Sequence, residues 1–268
     1  MGKILVIPGA DFSENAIKIS SFKTVQGSQA FQVLDSVTGV KSLVSDSEGY
    51  AEVDGVINYN GASDGNNLFN LAHSATDNVI EEVKNLRLKS TTPQYAFHRC
   101  DALKEITIAE LDITTDEPVS CGFMFRYCTA LEKLTIKASR KIKVQSFNFA
   151  FAGGSKNLLN LDLSMFDTSA LQGNMREFFN TGGSAPYPKL QVVDFSGWDL
   201  SSFDISTATN YQYAFNLCGS LAKAIINGCN ATTIAKLKTI LSTVSPSTPK
   251  VFVESTDASG NAVLVPQT

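Results

Sequence analysis

The stretch that decides the fold is residues 123–137, FMFRYCTALEKLTIK. Two further stretches align with it without a gap, YAFHRCDALKEITIA at 95–109 and YAFNLCGSLAKAIIN at 213–227. A small apolar set recurs in all three, with members at +3, +6, +9 and +11 from the first. The sets are Phe125, Cys128, Leu131, Leu134 and Ile136; Phe97, Cys100, Leu103, Ile106 and Ile108; and Phe215, Cys218, Leu221, Ala224 and Ile226. A template of this kind indicates a repeat protein.

The second half of each unit predicts one short strand. Leu134 and Ile136 point inward while Lys133, Thr135 and Lys137 point outward, because successive side chains of a strand lie on opposite faces. No coil buries its apolar side alone, so the coils stack and their strands form a parallel ladder. We therefore predict an α/β repeat fold, a leucine-rich-repeat solenoid of about six coils.

Further copies of the unit follow the same template less strictly. A degenerate copy starts at Phe69 and full copies start at Phe97, Phe125, Phe151, Phe179 and Phe215. Extra residues at 153–154 and 182–188 stand between the phenylalanine and the strand, which predicts loops on one edge of the solenoid. We expect the degenerate copy to align Val83, Leu86 and Leu88 with Leu103, Ile106 and Ile108.

A second motif follows the strands, as LDIT at 111–114, FDTS at 166–169, WDLS at 198–201 and FDIS at 203–206. Aspartate and serine at such positions bond backbone amides in turns, so we predict corners there. Trp198 takes the place of Phe166 in this motif, which predicts that the only tryptophan is a packing residue on the convex side.

The chain divides into three parts. Residues 1–67 carry no repeat and predict a β-rich N-terminal cap or attachment region, with strands at 3–7, 30–34, 40–44 and 50–57. Residues 68–230 are the repeat array. Residues 231–268 predict a C-terminal cap, in which a helix over 232–244 precedes a hairpin of strands 250–254 and 262–265.

Composition narrows the classes of function. The net charge is −4 and the pI about 5.3, so a general affinity for nucleic acid is not expected. The longest early apolar run, residues 4–7, is too short for a signal peptide or a membrane span. We expect a chain made in the cytoplasm without a signal peptide and without a membrane span.

The sequence offers little catalytic chemistry. Neither His73 nor His98 stands in a nucleophile motif, and His98 is expected to be a partly exposed coil residue. The glycine pairs lack the lysine of a phosphate loop, and the acidic residues after Ser45 lack calcium-loop spacing. The template cysteines are expected to be small buried hydrophobes. We predict no enzyme activity, no cofactor and no metal site.

Two surfaces remain as candidate binding sites. The outward side of the ladder carries polar residues, of which the strongest candidates are Thr107, Lys133, Thr135, Lys137, Asp162, Ser164, Asp194 and Ser196, with Glu105, Asn160 and Asn227 beside them. The edge loops at 153–156 and 182–187 offer a second site, which includes Tyr187. A protein segment or a cell-surface glycan suits such a surface, and a homo-oligomer is possible.

The segments 161–183, LDLSMFDTSALQGNMREFFNTGG, and 193–221, VDFSGWDLSSFDISTATNYQYAFNLCGSL, resemble the leucine-rich repeats of the BspA-like surface-protein family. The likeness covers residues 69–227. It implies a leucine-rich-repeat solenoid that acts as an adhesion module on cell surfaces and is not an enzyme.

The opening KILVIPGADFSENA at 3–16 is also similar to the start of proteins encoded by phages of gut bacteria. This resemblance implies a virion protein, on the particle surface or in a tail fibre, that needs no signal peptide. Its N-terminal region would attach it to other virion proteins, and its repeats would recognise a host. The alternatives are a bacterial surface adhesin and a cytoplasmic protein-interaction scaffold.

Overall fold

The computed structural model describes strand segments at 16–18, 21–24, 42–43, 52–54 and 80–90, and then most of residues 92–267. The gaps in that last range are 95, 99, 102, 154, 156, 173–174, 180–188, 216–217, 245–249 and 257–261. The described strands are β1 (Ala16–Lys18), β2 (Ser21–Thr24), β3 (Ser42–Leu43), β4 (Glu52–Asp54), β5 (Ile80–Ser90), β6 (Glu105–Ile113), β7 (Val119–Ser120), β8 (Lys133–Ile136), β9 (Ile142–Ser146), β10 (Asn160–Asp162), β11 (Phe166–Asp167), β12 (Val192–Asp194), β13 (Lys223–Ile225), β14 (Lys250–Thr256) and β15 (Ala262–Pro266). Helix α1 (Ala231–Leu241) lies between β13 and β14.

The chain forms a parallel-strand β-solenoid of about five turns with little helix, so the predicted repeat architecture is confirmed at that level. Strands β5, β6 and β8 pair in parallel, and so do β10, β12, β13 and β14. Strand β15 closes the second group by pairing antiparallel with β14. The sixth predicted coil starts at Phe69, which lies outside the described residues.

Hydrogen bonds join neighbouring coils on more than one side. Strands β7, β9 and β11 form a separate parallel sheet. Between this sheet and the strand ladder, turns of neighbouring coils form backbone hydrogen bonds with each other. The Phe125 amide donates to the Ala150 carbonyl at 2.7 Å, and the Tyr127 amide donates to the Ala152 carbonyl at 2.8 Å. The coils are therefore held in register around much of their circumference.

The template phenylalanines form one stack through the core, which we call the phenylalanine spine: Phe97, Phe125, Phe151, Phe179 and Phe215. Successive ring centroids lie 5.1, 5.2, 5.3 and 5.1 Å apart. The first three pairs are nearly parallel, at 7°, 18° and 17°, and the last is tilted by 34°. Every spine residue is buried, so the stack runs down the inside of the solenoid.

The rest of the predicted core is confirmed as well. The template cysteines and the inward strand residues are buried, among them Cys128, whose thiol donates to the carbonyl of Phe97. Trp198 is 1% exposed, stacks on Phe147 at 5.4 Å and donates its indole N–H to the Leu163 carbonyl at 2.9 Å. The tryptophan is a packing residue, as its motif predicted.

The predicted alignment of the first repeat strand is wrong. Val83 pairs with Ile106 rather than Leu103, and Leu86 pairs with Ile108 rather than Ile106. The reason is that β5 is 11 residues long and its pairing with β6 is irregular on both sides of Leu86. Such irregularities insert unpaired residues, which a constant spacing does not anticipate.

The LDIT segment is also placed differently from its expected siblings. Residues 111–113 continue β6 beside β5, whereas Phe166 and Asp167 form β11 in the separate sheet. Strand β6 is 9 residues long, so the chain does not turn where the motif predicted a corner.

The N-terminal predictions are tested only in part. Strand β4 lies within the predicted 50–57, and β3 lies within 40–44 but pairs in parallel with β1. Strands β1 and β2 were not predicted. Together with β3 and β4 they belong to the same sheet as β5, β6 and β8. The predicted strands at 3–7 and 30–34 lie outside the described residues.

The predicted C-terminal helix and hairpin are both present. Helix α1 starts after Asn230, whose side chain accepts a hydrogen bond from the Thr233 amide at 2.8 Å, the usual geometry of an N-cap. The ammonium of Lys236 donates to the carbonyls of Leu200, Ser201 and Phe203 at 2.8–2.9 Å, so the helix is tied to the preceding coil. Among the residues that the structure describes, no helix has the length and apolar character of a membrane span.

The spine predicts how core phenylalanines differ in their contribution to stability. Phe151→Leu removes two stacked contacts and an edge contact with Phe178, whereas Phe203 is equally buried and meets no aromatic ring within the described residues. We expect Phe151→Leu to lower the free energy of unfolding by about 1–3 kcal/mol more than Phe203→Leu. Urea unfolding of both variants measures the difference, and equal losses would contradict a role for ring stacking.

The buried thiols predict a loss of stability in alkali. Burial raises the pKa of Cys100, Cys121, Cys128 and Cys218 above the ordinary thiol value. In the unfolded chain thiols ionise at about pH 8.5, so only the unfolded state loses these protons as the pH rises further.

We expect the free energy of unfolding to hold below about pH 8.5 and then to fall by up to about 1.4 kcal/mol per pH unit for each buried thiol. Urea titrations between pH 7 and 10 measure the slope. Cys218→Ala is the matched control, because its slope should be smaller by the share of one thiol. If the free energy of unfolding falls with pH equally steeply in Cys218→Ala and in the unchanged protein, the buried Cys218 thiol is not a cause of the loss.

Candidate binding surface

The outward side chains of the ladder form three rows that run from coil to coil, and together we call them the ladder face. The register of the paired strands aligns the rows. Strands β8 and β10 are adjacent, and there the rows are aligned by matching the buried template residues of the two coils. The first row is Glu105, Lys133, Asn160, Val192, Lys223 and Lys250; the second is Thr107, Thr135, Asp162, Asp194, Ile225 and Phe252; the third is Lys137, Ser164, Ser196, Asn227 and Glu254. All of these residues are exposed or half-buried.

The first coils of the ladder face are polar, with one carboxylate, that of Glu105, and two ammonium groups, those of Lys133 and Lys137. Lys133 and Glu105 are cross-strand neighbours, and their side chains form an ion pair at 2.6 Å. The Lys133 side chain is 64% exposed, so this pair is worth no more than about 1 kcal/mol. Thr107 and Thr135 lie side by side in the second row, while Lys137 in the third row is exposed.

Four of the eight strongest ladder candidates, two aspartates and two serines, also form turns. The carboxylate of Asp162 accepts a hydrogen bond from the Ser164 amide at 2.8 Å, and Asp194 accepts one from the Ser196 amide at the same distance. The same turn recurs at three corners off the ladder, at Asp167–Ser169, Asp199–Ser201 and Asp204–Ser206. The Asp-x-Ser motif therefore ends a strand or turns a corner wherever it stands.

The two ladder aspartates place like charges next to each other. Asp162 and Asp194 are direct cross-strand neighbours. Partial burial raises the pKa of Asp194, and the carboxylates of Asp162 and Glu254 add to the shift, while hydrogen bonds from Ser196 oppose it. Like charges facing each other across a ladder are unfavourable, so a cationic group on a partner would find a favourable position there.

The last coils present an apolar section that sequence analysis missed. Val192, Ile225 and Phe252 point outward and are half-buried, and the Lys223 ammonium lies 6.0 Å from the centre of the Phe252 ring. Ile225 is predictable, because it alternates with the buried Ala224 and Ile226. Phe252 is not, because its place in the second row depends on the parallel pairing of β14 with β13.

Asn227 and Glu254 close this end of the third row. The Asn227 amide donates to the Glu254 carboxylate at 3.0 Å, and the Glu254 backbone amide donates to the Asn227 side-chain oxygen at 2.6 Å. Asn227, a predicted ladder residue, therefore joins β13 to β14.

The predicted edge-loop site has few described residues. Tyr187 lies in 180–188, outside the described residues, and so do residues 154 and 156 of the other loop. Gly153 is buried against the Tyr127 ring, and Ser155 is buried with its hydroxyl donating to the Leu131 carbonyl. The described part of this loop therefore belongs to the core.

His98 is buried rather than partly exposed, so that prediction is wrong. Only 5% of it is accessible, because it lies against the rings of Phe123 and Tyr127 in the next coil. The other histidine, His73, lies outside the described residues.

An aromatic cluster beside the spine surrounds one arginine. The guanidinium of Arg126 lies 4.6–5.1 Å from the centres of the Phe123, Tyr127 and Phe149 rings, and it donates to the Tyr127 hydroxyl at 3.0 Å. Phe123 and Phe149 also stack on each other at 5.2 Å. The cation is thus bound by its own chain, and cation–π contacts of this kind stabilise the turn.

Two clefts lie outside the ladder face. A charged cleft of about 190 Å³ between residues 113–117 and 140–143 contains Arg140, which is engaged by Asp116 and by the carbonyls of Ile113 and Thr115. A larger, uncharged cleft of about 480 Å³ is lined by residues 208, 209, 211–213 and 243.

Within the described residues, no group of three histidine, cysteine, aspartate or glutamate side chains is arranged to hold a metal ion. Comparison with protein-family models, curated protein sequences and solved structures finds no match to this chain.

The buried edge-loop glycine predicts a steric effect on stability. Gly153 and Gly228 have φ of +90° and +69°, but a Cβ at Gly153 would overlap the Tyr127 ring, whereas a Cβ at Gly228 meets no atom within 4 Å. We expect Gly228→Ala to cost about 1 kcal/mol from the backbone conformation alone, and Gly153→Ala to cost about 2–4 kcal/mol. Thermal and urea unfolding compare the two, and equal costs would show that Tyr127 moves without penalty.

Proposed function

We propose that the chain is a non-enzymatic recognition and structural module that presents the ladder face to a protein segment or a glycan. The observation that carries this proposal is the register of the three rows, which places polar, acidic and apolar sections side by side on hydrogen-bonded strands. A surface that is rigid before binding loses little conformational entropy on binding.

The repeats are of the leucine-rich, BspA-like type, and both ends of the array are capped. Support for a C-terminal cap comes from α1, which the Lys236 ammonium and the Asn230 side chain tie to the preceding corner. Support for an N-terminal cap comes from β1 to β4, which extend the sheet of the first coils.

The biological setting that we favour is the surface or tail of a phage particle, with residues 1–67 as the attachment region and the array as the host-recognition surface. Its support is the combination of adhesin-type repeats with the phage-like residues at 3–16. A bacterial surface adhesin and a cytoplasmic scaffold are the alternatives, and the same ladder face would serve each of them.

Antibody against the purified chain separates these settings by immunogold microscopy of a culture before and after lysis. Gold on released particles supports the virion assignment. Gold on intact cells would support an adhesin instead, and label confined to the soluble lysate would support a scaffold.

The ladder face itself is tested by a charge placed in the second row. Thr135 is half-buried beside Thr107, so Thr135→Glu should disturb a partner that spans the rows. We expect binding of the fluorescent chain to intact cells of the source strain to fall about tenfold or more, the effect of a central interface residue.

The matched control is Thr232→Glu. Thr232 is exposed in the first turn of α1, where a carboxylate is favourable to the helix. Equal binding by both variants, with unchanged melting temperatures, would remove the ladder face as the recognition surface.

A further inference from the structure

The uncharged cleft lies on the coil segment that leads into Phe215, away from the ladder face. It is lined by Ala208, Thr209, Tyr211, Gln212, Tyr213 and Thr243. Its volume of about 480 Å³ is within the range of small-ligand sites. The described residues that line it include two with aromatic side chains and none with a charged one.

Tyr213 has an unusual backbone for an exposed aromatic residue. Its φ is +62°, in the left-handed region, which costs a residue other than glycine about 1–2 kcal/mol. Phe123, Phe149 and Glu177 occupy the same place two residues before their spine phenylalanine, and they share this conformation with φ of 60°, 56° and 54°.

At the sibling positions the side chain has a partner within the chain. Phe123 and Phe149 stack on each other and contact Arg126, and Glu177 forms an ion pair with Arg176 at 3.1 Å. Tyr213 stacks on no ring in the described part of the chain, and 42% of it is exposed. Tyr213 therefore differs from these siblings in having no ring or ionic partner for its side chain among the described residues, and residues with a strained backbone concentrate at functional sites.

The polar groups of the cleft are available as well. The side chains of Thr209, Gln212 and Tyr213 make no hydrogen bond within the residues that the structure describes. The Thr243 hydroxyl donates to the Ile240 carbonyl at 2.8 Å, which leaves its oxygen free to accept. The cleft thus combines an exposed ring face with uncharged donors and acceptors.

We propose that this cleft binds one neutral sugar unit of an oligosaccharide. The C–H face of a pyranose ring is apolar and stacks on an aromatic ring, while its hydroxyls match the amide and hydroxyl groups of Gln212 and Thr209. A charged sugar is disfavoured, because none of the described lining residues carries a charge that would compensate its loss of hydration. The site lies off the ladder face, so this inference does not depend on recognition by the ladder.

The test is calorimetric titration of the full chain with neutral hexasaccharides of glucose, galactose, mannose and N-acetylglucosamine, with a heparin-derived hexasaccharide as the anionic comparison. We expect at least one neutral hexasaccharide to bind. Tyr213→Ala should weaken its binding about tenfold, the loss of one ring-stacking contact, and Tyr213→Phe should change it by less than about threefold.

Two further variants fix the location of the site. Ala208→Trp fills the cleft from an exposed position and should abolish binding, whereas Glu177→Ala, at the sibling position, should leave it unchanged. Melting temperatures establish that the variants are folded.

Three outcomes overturn the proposal. They are binding of none of the neutral hexasaccharides, binding of the heparin hexasaccharide alone, and binding that is unaffected by Tyr213→Ala and Ala208→Trp. Thr135→Glu distinguishes the two surfaces, because loss of sugar binding in that variant would place the ligand on the ladder face instead.

Discussion

The phenylalanine spine is the constraint on which the rest of the solenoid depends. Its rings repeat every 5.1–5.3 Å, close to the spacing of about 4.8 Å between hydrogen-bonded strands. Ring stacking and the ladder therefore require the same rise per coil. Coils of unequal length therefore have to present the same template residues at the same rise, whatever extra residues stand between the phenylalanine and the strand.

The polar residues of the ladder face fall into two groups, those that form contacts within the chain and those that form few. Asp162 and Asp194 hold turns, Lys133 is paired with Glu105, and Asn227 joins two strands. The side chains less committed to internal contacts are the threonines of the first coils, Lys137, and the apolar section with its lysines. A partner that uses the ladder face has to contact these groups. The apolar section is therefore a larger part of the candidate binding surface than the predicted polar residues indicated.

How far the sequence predicts this structure depends on the range of the interaction involved. The buried set, the packing role of Trp198 and helix α1 follow from local spacing and are present. The pairing of β5 with β6 is not predictable from spacing, because irregularities around Leu86 shift the register. The burial of His98 and the exposed ring of Tyr213 depend on what the adjacent coil provides, and template alignment does not contain that information.

The sequence by itself determined which side chains enter the core, because the template repeats an apolar pattern that only stacked coils can bury. Tertiary structure alone decided which outward residues become neighbours, such as Ile225 beside Phe252, because register is set by hydrogen bonds between residues far apart in the chain. It also decided that Tyr213 lines an open cleft while Phe123 is stacked, although both occupy one template position with one backbone conformation. The physical reason is that a repeat specifies each coil, whereas a site is formed by the differences between neighbouring coils.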